Sequence, residues 1–427
     1  MPNPIPLRAA ASVWFKIALL SFGGPAAQIG LMQRLIVDEK GWLDQARFNH
    51  ALNFCMLLPG PEAQQLAAYI GWLLHGVRGG LIAGTLFVLP GALVMLCLGL
   101  LYVTLGQATL VEGLLFGLKC AVLAIVIQAL ARMSGKVVQG TAATILAVAA
   151  FLAMFLFSLP FPVVVIGAGV LGLVLFSDAA RTTDQASAPL TIRPVVPALA
   201  LVMWLAPLVV LWLALGRESV WTELAGFFSL VASLSFGGAY AVLAWVAQFA
   251  AESRNWLSAS EMLDGLGLAE TTPGPLILVT QFVGFLAAWR QPGMLEPLLA
   301  GSLGAMLTTW VIFAPSFLWV FLLAPRVEAL RHNPRVAGAL RGVTAAVVGV
   351  IANLALWFAV RLLFSEHRPV DSAIFNFDWP LLVSIDLRAL VLVVLAALML
   401  FVFRLGLITT IALMAGIGLL LQWIDVT

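Results

Sequence analysis

The sequence predicts an all-α, polytopic transmembrane helical bundle built from two homologous halves, and three observations lead there. Sixty-two per cent of the residues are hydrophobic and only 10 per cent are charged, a balance that no water-exposed surface of 427 residues accommodates. The apolar stretches run about 20 residues or more, the length of a helix that crosses hydrocarbon and twice that of a membrane-barrel strand. The third observation is a duplication: Leu20-Ser21-Phe22-Gly23-Gly24 returns 214 residues later as Leu234-Ser235-Phe236-Gly237-Gly238. At the same spacing Trp42-Leu43 returns as Trp256-Leu257, and Pro59-Gly60-Pro61 as Pro273-Gly274-Pro275. Register resumes at a spacing of 225, where Pro90 meets Pro315, Gly113 meets Gly338 and Gly117 meets Gly342. Shared leucine and alanine content cannot align glycine, proline and tryptophan in this way.

Charged, proline and glycine-rich breaks divide the chain into helices near 11–37, 46–74, 79–105, 109–133, 139–157 and 160–177. A polar linker runs from Ser177 to Arg193, followed by an extra helix near 196–216. The second half supplies 219–250, 260–289, 297–324, 335–362, 387–404 and 406–424, making 13 in all. The expected organisation is a first repeat over 1–178, a linker with its helix over 179–218, and a second repeat over 219–427. No cleavable signal is expected, because Met1 to Ala11 is short and proline-rich and leads into a long apolar run. Cys55, Cys97 and Cys120 lie in apolar segments and read as small buried residues rather than a disulfide framework.

Lysine and arginine counts of 12 inside against 8 outside weakly favour a cytoplasmic amino terminus. Seven crossings separate equivalent positions, so the halves are expected to point in opposite directions, the inverted repeat of many secondary transporters. If the Pro-Gly-Pro segments instead dip in and return on one side, the halves run parallel.

Phe22-Gly23-Gly24-Pro25 and Pro59-Gly60-Pro61 place breakers inside apolar runs, as do Gly237, Gly238 and Pro273-Gly274-Pro275 in the second half. Proline removes a backbone donor and clashes with the preceding turn, so each Pro-Gly-Pro is expected to end one helix and start another. The new helix begins with unpaired N–H groups and a positive dipole end, which at membrane depth suits an anion; a simple proline kink is the alternative. Ser21, Gln64, Gln65, Ser235, Thr271, Thr272, Thr280 and Gln281 gather around these breaks. Such hydroxyls and amides can donate to a tetrahedral oxyanion, or they can bond back to their own helices.

Lys119 lies midway along the apolar run from Leu110 to Ala131, where a charge needs a cavity or a partner; it reads as substrate-facing, or as paired with a carboxylate such as Glu112. Arg341 aligns with Phe116, one turn from Lys119, and reads equally as a binding group or as a side chain snorkelling to the interface. Glu62 and Glu270 flank the two Pro-Gly-Pro elements and are candidates either for helix capping or for proton coupling. Gly135-Lys136-Val137 lacks the pattern of a phosphate-binding loop, so no ATPase is expected. Four scattered histidines and three cysteines give no metal spacing, and neither a cofactor, an enzyme activity nor a nucleic-acid partner is expected.

With these residues in view, the chain resembles the long, two-domain form of the chromate ion transporter family. The resemblance is carried by Phe22-Gly23-Gly24-Pro25, Trp42-Leu43, Leu58-Pro59-Gly60-Pro61-Glu62-Ala63-Gln64, Leu89-Pro90-Gly91, Phe236-Gly237-Gly238 and Thr272-Pro273-Gly274-Pro275. It implies export of chromate across the bacterial inner membrane, with sulfate as a competing oxyanion. Ala239 replaces Pro25 and Leu276 replaces Glu62 in the second copy, so the halves are expected to do unequal work. An anion channel is the alternative in another class, and membrane lipid and a homodimer complete the expected partners. Single cysteines placed near Lys40 and near Arg254, in a cysteine-free background, should label from opposite faces of the membrane; labelling from one face would rule out inversion.

Overall fold

The computed structural model describes residues 5–106, 108–176, 194–236, 238–324, 334–371 and 376–426. It is helical nearly throughout. The first copy contains α1 (Leu7–Leu20), α2 (Gly24–Gln33), α3 (Gln45–Cys55), α4 (Glu62–Leu105), α5 (Thr109–Val137), α6 (Thr141–Phe157) and α7 (Phe161–Leu175). The extra helix α8 (Val195–Leu215) stands where expected. The second copy contains α9 (Val220–Leu234), α10 (Ala239–Ala247), α11 (Ala259–Thr271), α12 (Val279–Arg290), α13 (Pro297–Leu323), α14 (Pro334–Leu363), α15 (Leu387–Ala397) and α16 (Leu407–Val426). An antiparallel pair, β1 (His367–Asp371) and β2 (Asn376–Pro380), joins α14 to α15 and was not anticipated from the sequence.

Six of these helices are long and apolar enough to cross a membrane, and the protein is a multi-pass integral membrane protein. Several expected helices are divided at the breakers. The run near 11–37 splits at Ser21–Gly23, and the run near 219–250 splits before Ala239. Each Pro-Gly-Pro separates two helical pieces. α3 has 11 residues and rises only about 16 Å, roughly half the hydrocarbon thickness.

Local geometry recurs at the spacing of the sequence duplication. A π-helical turn over Arg34–Glu39 reappears over Gln248–Ser253, 214 residues on. Its exit is closed by Trp42 N–H bonding Ile36 O at 2.9 Å, and again by Trp256 N–H bonding Ala250 O at 2.8 Å. Asp44 caps α3 by accepting from Arg47 N–H. At the matching position Ser258 and Glu261 form a reciprocal capping box at the start of α11.

α4 is one helix only in name. At His75 and Gly76 the backbone leaves helical geometry, Gly76 having φ +62°, and the chain reverses. A Cβ on Gly71 would collide with the Gly79 carbonyl and with Ala83, while Gly80 and Gly84 press on Ala68, the pattern of two antiparallel helices in backbone contact. In the second copy Gly284 meets Gly304 and Thr308 across α12 and α13 in the same manner.

The described chain forms two compact units, each drawing on both halves of the sequence. One comprises Met1–Leu100, Thr183–Ala239 and Leu268–Arg331; the other comprises Leu101–Thr182, Tyr240–Gly267 and His332–Thr427. In the second unit the small residues that align at spacing 225 have reciprocal partners. Gly113 and Gly117 of α5 let it approach Gly418 and Met414 of α16, whereas Gly338 and Gly342 of α14 let it approach Gly172 and Ala168 of α7. Each copy thus packs its small-residue face on the last helix of the other, the close approach by which membrane helices associate without a hydrophobic driving force.

Candidate functional site

All four helix breaks belong to the first unit, and the two copies hold each other's breaks in place. α1 is capped at Ser21, the Phe22 N–H turns back to Leu20 O at 3.0 Å, and Gly23 and Gly24 take φ of +87° and +79° where α2 starts. In the second copy Phe236 N–H turns back to Leu234 O at 2.9 Å, and Gly238 takes φ +99° before α10. Gly237 lies outside the described residues. Gly60 and Gly274, the centres of the Pro-Gly-Pro elements, have φ of +126° and +98°, conformations open to glycine and costly to other residues.

Gly60 N–H then donates to Ser235 O at 2.9 Å, and Gly274 N–H donates to Ser21 O at 2.7 Å. These are the same bond made twice with the copies exchanged, since 21 and 235, like 60 and 274, are 214 apart. Two buried glutamines satisfy further carbonyls at the breaks, Gln28 Nε2 donating to Gly274 O at 2.6 Å and Gln65 Nε2 to Pro59 O at 2.7 Å, while Gln281 Nε2 ties α12 to α4 by donating to Ala92 O at 2.8 Å. Gly91 lets α4 come close at this point, because any Cβ there would overlap the Pro273 carbonyl oxygen.

Around this crossing four helical N-termini face one cavity. Its lining includes Pro25 and Gln28 from α2, Pro61 and Glu62 from α4, Gly238 and Ala239 from α10, and Pro275 with Leu276 from the 3-10 turn that leads into α12. Gly60 and Ser235 complete the wall. The cavity measures about 20 Å³, room for roughly one water. Beside it in sequence, Gln64 is fully buried with both ends of its amide unpartnered, and Gln28 Oε1 is likewise unpartnered. A buried amide left without partners costs about 1–3 kcal/mol, so Gln64 calls for a ligand or water in some state of the protein.

The hydroxyls take the local alternative that the sequence left open. Ser21 Oγ donates to Ile17 O at 2.7 Å, Thr272 Oγ1 to Leu268 O at 2.7 Å, and Thr271 and Thr280 also bond back to their own turns. Thr272 and Pro273 do not line the cavity, and the Thr272 hydroxyl is spent on its own helix. Glu62 occupies the first turn of α4, where its carboxylate complements the helix dipole. Glu270 is buried in the last turn of α11.

The cations belong to the second unit. Lys119 Nζ lies 2.9 Å from Ser260 Oγ and 3.5 Å from Asp264 Oδ1, while Tyr102 Oη donates to Asp264 Oδ2 at 3.0 Å. Its carboxylate partner is thus Asp264, not the suggested Glu112, which is exposed in the first turn of α5 seven residues earlier. The available signal for Asp264 was a carboxylate inside the apolar helix that leads to the second Pro-Gly-Pro. Arg341 is exposed, with its guanidinium carbon 5.7 Å from the centre of the Phe176 ring.

The profile of the family described as chromate transporter matches residues 9–173 and 222–419, the two halves in turn. The chain belongs to the chromate transporter family. It is 33% identical over 360 residues to the chromate transport protein of Pseudomonas aeruginosa, covering 82% of this chain and 80% of that one. It is 27% identical to a probable chromate transport protein of Synechococcus elongatus, over 81% of this chain and 83% of that protein. It is 26% identical to the chromate transport protein of Cupriavidus metallidurans, over 83% of each. No solved structure matches it. The family is one of transporters rather than enzymes.

Gly91→Ala should cost about 1–3 kcal/mol, since a methyl group there must displace the Pro273 backbone. Thermal unfolding of the purified protein in detergent should show a lowered midpoint, while Gly167→Ala, where a Cβ meets nothing within 4 Å, should leave it unchanged. Equal midpoints for the two variants would mean that the close approach at Gly91 does not hold the break.

Proposed function

We propose that this protein is a secondary transporter that exports chromate from the bacterial cytoplasm across the inner membrane, binding the dianion at the helix N-termini around the first unit's cavity. The observation that carries the reading is the convergence of those four ends on one cavity, together with the orphaned amide of Gln64. Helix N-termini supply fixed partial positive charge and directed N–H groups without a titratable cation, a suitable replacement for the water around a tetrahedral oxyanion. Sulfate shares that charge and shape, and the same donors would accept it. Glu62 already complements the end of α4. The ends left for a substrate are therefore those at Gly24-Pro25, Gly238-Ala239 and Leu276, where the second copy has no carboxylate.

A cavity with room for about one water supports alternating access over an open channel. Chromate requires the walls to part, and the breaks are the places where the backbone is already free of its helix. In this reading the two sequence repeats are inverted, and the cavity at their crossing opens in turn to each side.

Export then needs no ATP. Moving a dianion out of a cell held about 100 mV negative inside is favourable by about 4.6 kcal/mol, enough for a gradient of roughly three orders of magnitude. Collapsing the potential in sealed everted vesicles should strongly slow chromate uptake; unaltered flux would exclude potential-driven export and point to anion exchange. Glu62→Gln removes a charge that opposes the substrate, so it should lower the half-saturating chromate concentration about fivefold, corresponding to roughly 1 kcal/mol of dipole and charge interaction. An unchanged or raised concentration, in a variant present at normal amounts, would remove Glu62 from the cavity's electrostatics.

A further inference from the structure

We propose that Asp264 is a proton-carrying site of the transport cycle, ionised while paired with Lys119 and protonated on Oδ1 when the pair separates. The inference rests on the transport reading above. Asp264 sits inside α11 with its side chain 6% exposed, opposite Lys119 on α5, whose side chain is 17% exposed. The pair is not closed as a direct hydrogen bond. Nζ is bonded to Ser260 Oγ at 2.9 Å and stands 3.5 Å from Oδ1, and Oδ1 has no hydrogen-bond partner, while Oδ2 is held by the Tyr102 hydroxyl. One carboxylate oxygen is therefore anchored and the other is buried with a vacant acceptor position beside a cation.

The fold does not require the pair. Adding 225 to 119 gives Thr344 in the corresponding helix of the other copy, and subtracting 214 from 264 gives His50. Thr344 simply bonds back to Leu340 O at 2.7 Å, so the equivalent helix is built without a charge at that place. A buried pair costs several kcal/mol of desolvation per ion, and ionisable groups at membrane depth mark ion or proton paths. The groups facing Asp264 are Lys119 on α5 and Tyr102 at the end of α4; on its own helix Glu261 is engaged by the Ser258 N–H in the cap. Proton uptake from water forms one O–H bond on Oδ1, Lys119 remains an ammonium, and the charge of the pair changes from zero to +1. Asp264 also lies on the helix that ends at Thr271, immediately before the second break.

The test uses the full chain in sealed vesicles with a trapped pH dye, at alkaline pH where chromate is the unprotonated dianion, with the potential clamped. A chromate gradient should drive proton movement in the wild type. Asp264→Asn should retain exchange of labelled for unlabelled chromate but lose chromate-driven proton movement, and Asp264→Glu should retain both. Should Asp264→Asn not reach the membrane, the double variant Lys119→Gln/Asp264→Asn, which leaves no uncompensated charge, is carried through the same assay with the same expectation. Proton movement per chromate equal to wild type in the Asn variant, or wild-type chromate movement without protons, would overturn the proposal. Wild-type vesicles that move no chromate would overturn the transport reading instead, and this one with it.

Discussion

Every backbone N–H and C=O that leaves a helix within hydrocarbon must find a partner inside the protein, because each one left unpaired costs several kcal/mol. Two bonds answer that demand here, Gly60 N–H to Ser235 O and Gly274 N–H to Ser21 O. They allow four helices to start inside one unit. They also explain the glycines: the donor at each Pro-Gly-Pro sits at a positive φ, and the flanking prolines have no N–H to leave unpaired. Gln28 and Gln65 then act as side-chain substitutes for missing backbone partners. The cavity follows from this crossing, since four N-termini tied by their breaks cannot also be capped by one another.

The near-symmetry of this frame makes its departures informative. Glu62 faces Leu276 across the duplication, and Pro25 faces Ala239, so one copy offers a helix end already matched by a carboxylate and the other an open one. The copies differ again where Lys119 and Asp264 correspond to Thr344 and His50. The copies thus differ in charge at matching positions, on a scaffold whose local packing recurs.

Much of this was legible before any coordinates. Glycine and proline act locally, so the positions of the breaks could be read from Gly23-Gly24 and Pro59-Gly60-Pro61 alone, and the duplication identified which breaks correspond. The reversal at His75-Gly76 falls in the gap left between the runs 46–74 and 79–105, where a histidine and a glycine interrupt the apolar pattern. The pairing of Lys119 with Asp264 joins residues 145 apart in sequence, and no local pattern announces which buried carboxylate a membrane lysine will meet. The hydroxyls near the breaks were ambiguous for a different reason: a serine or threonine in a helix always has a carbonyl within reach, and Ser21 and Thr272 took it. The β1–β2 hairpin escaped notice because its strands are short and lie between two strongly apolar helices.

The exchange of terminal helices between copies has a consequence for how the chain is made. Gly113 and Gly117 emerge early in synthesis, yet the helix that covers them, Leu407–Val426, lies nearly 300 residues further along the chain. The first half must wait in the membrane with a bare small-residue face through nearly 300 further residues, and the second half, once finished, closes on a helix that has been waiting for it. Neither half completes its own packing, so the first repeat reaches its final form only after the second has been made.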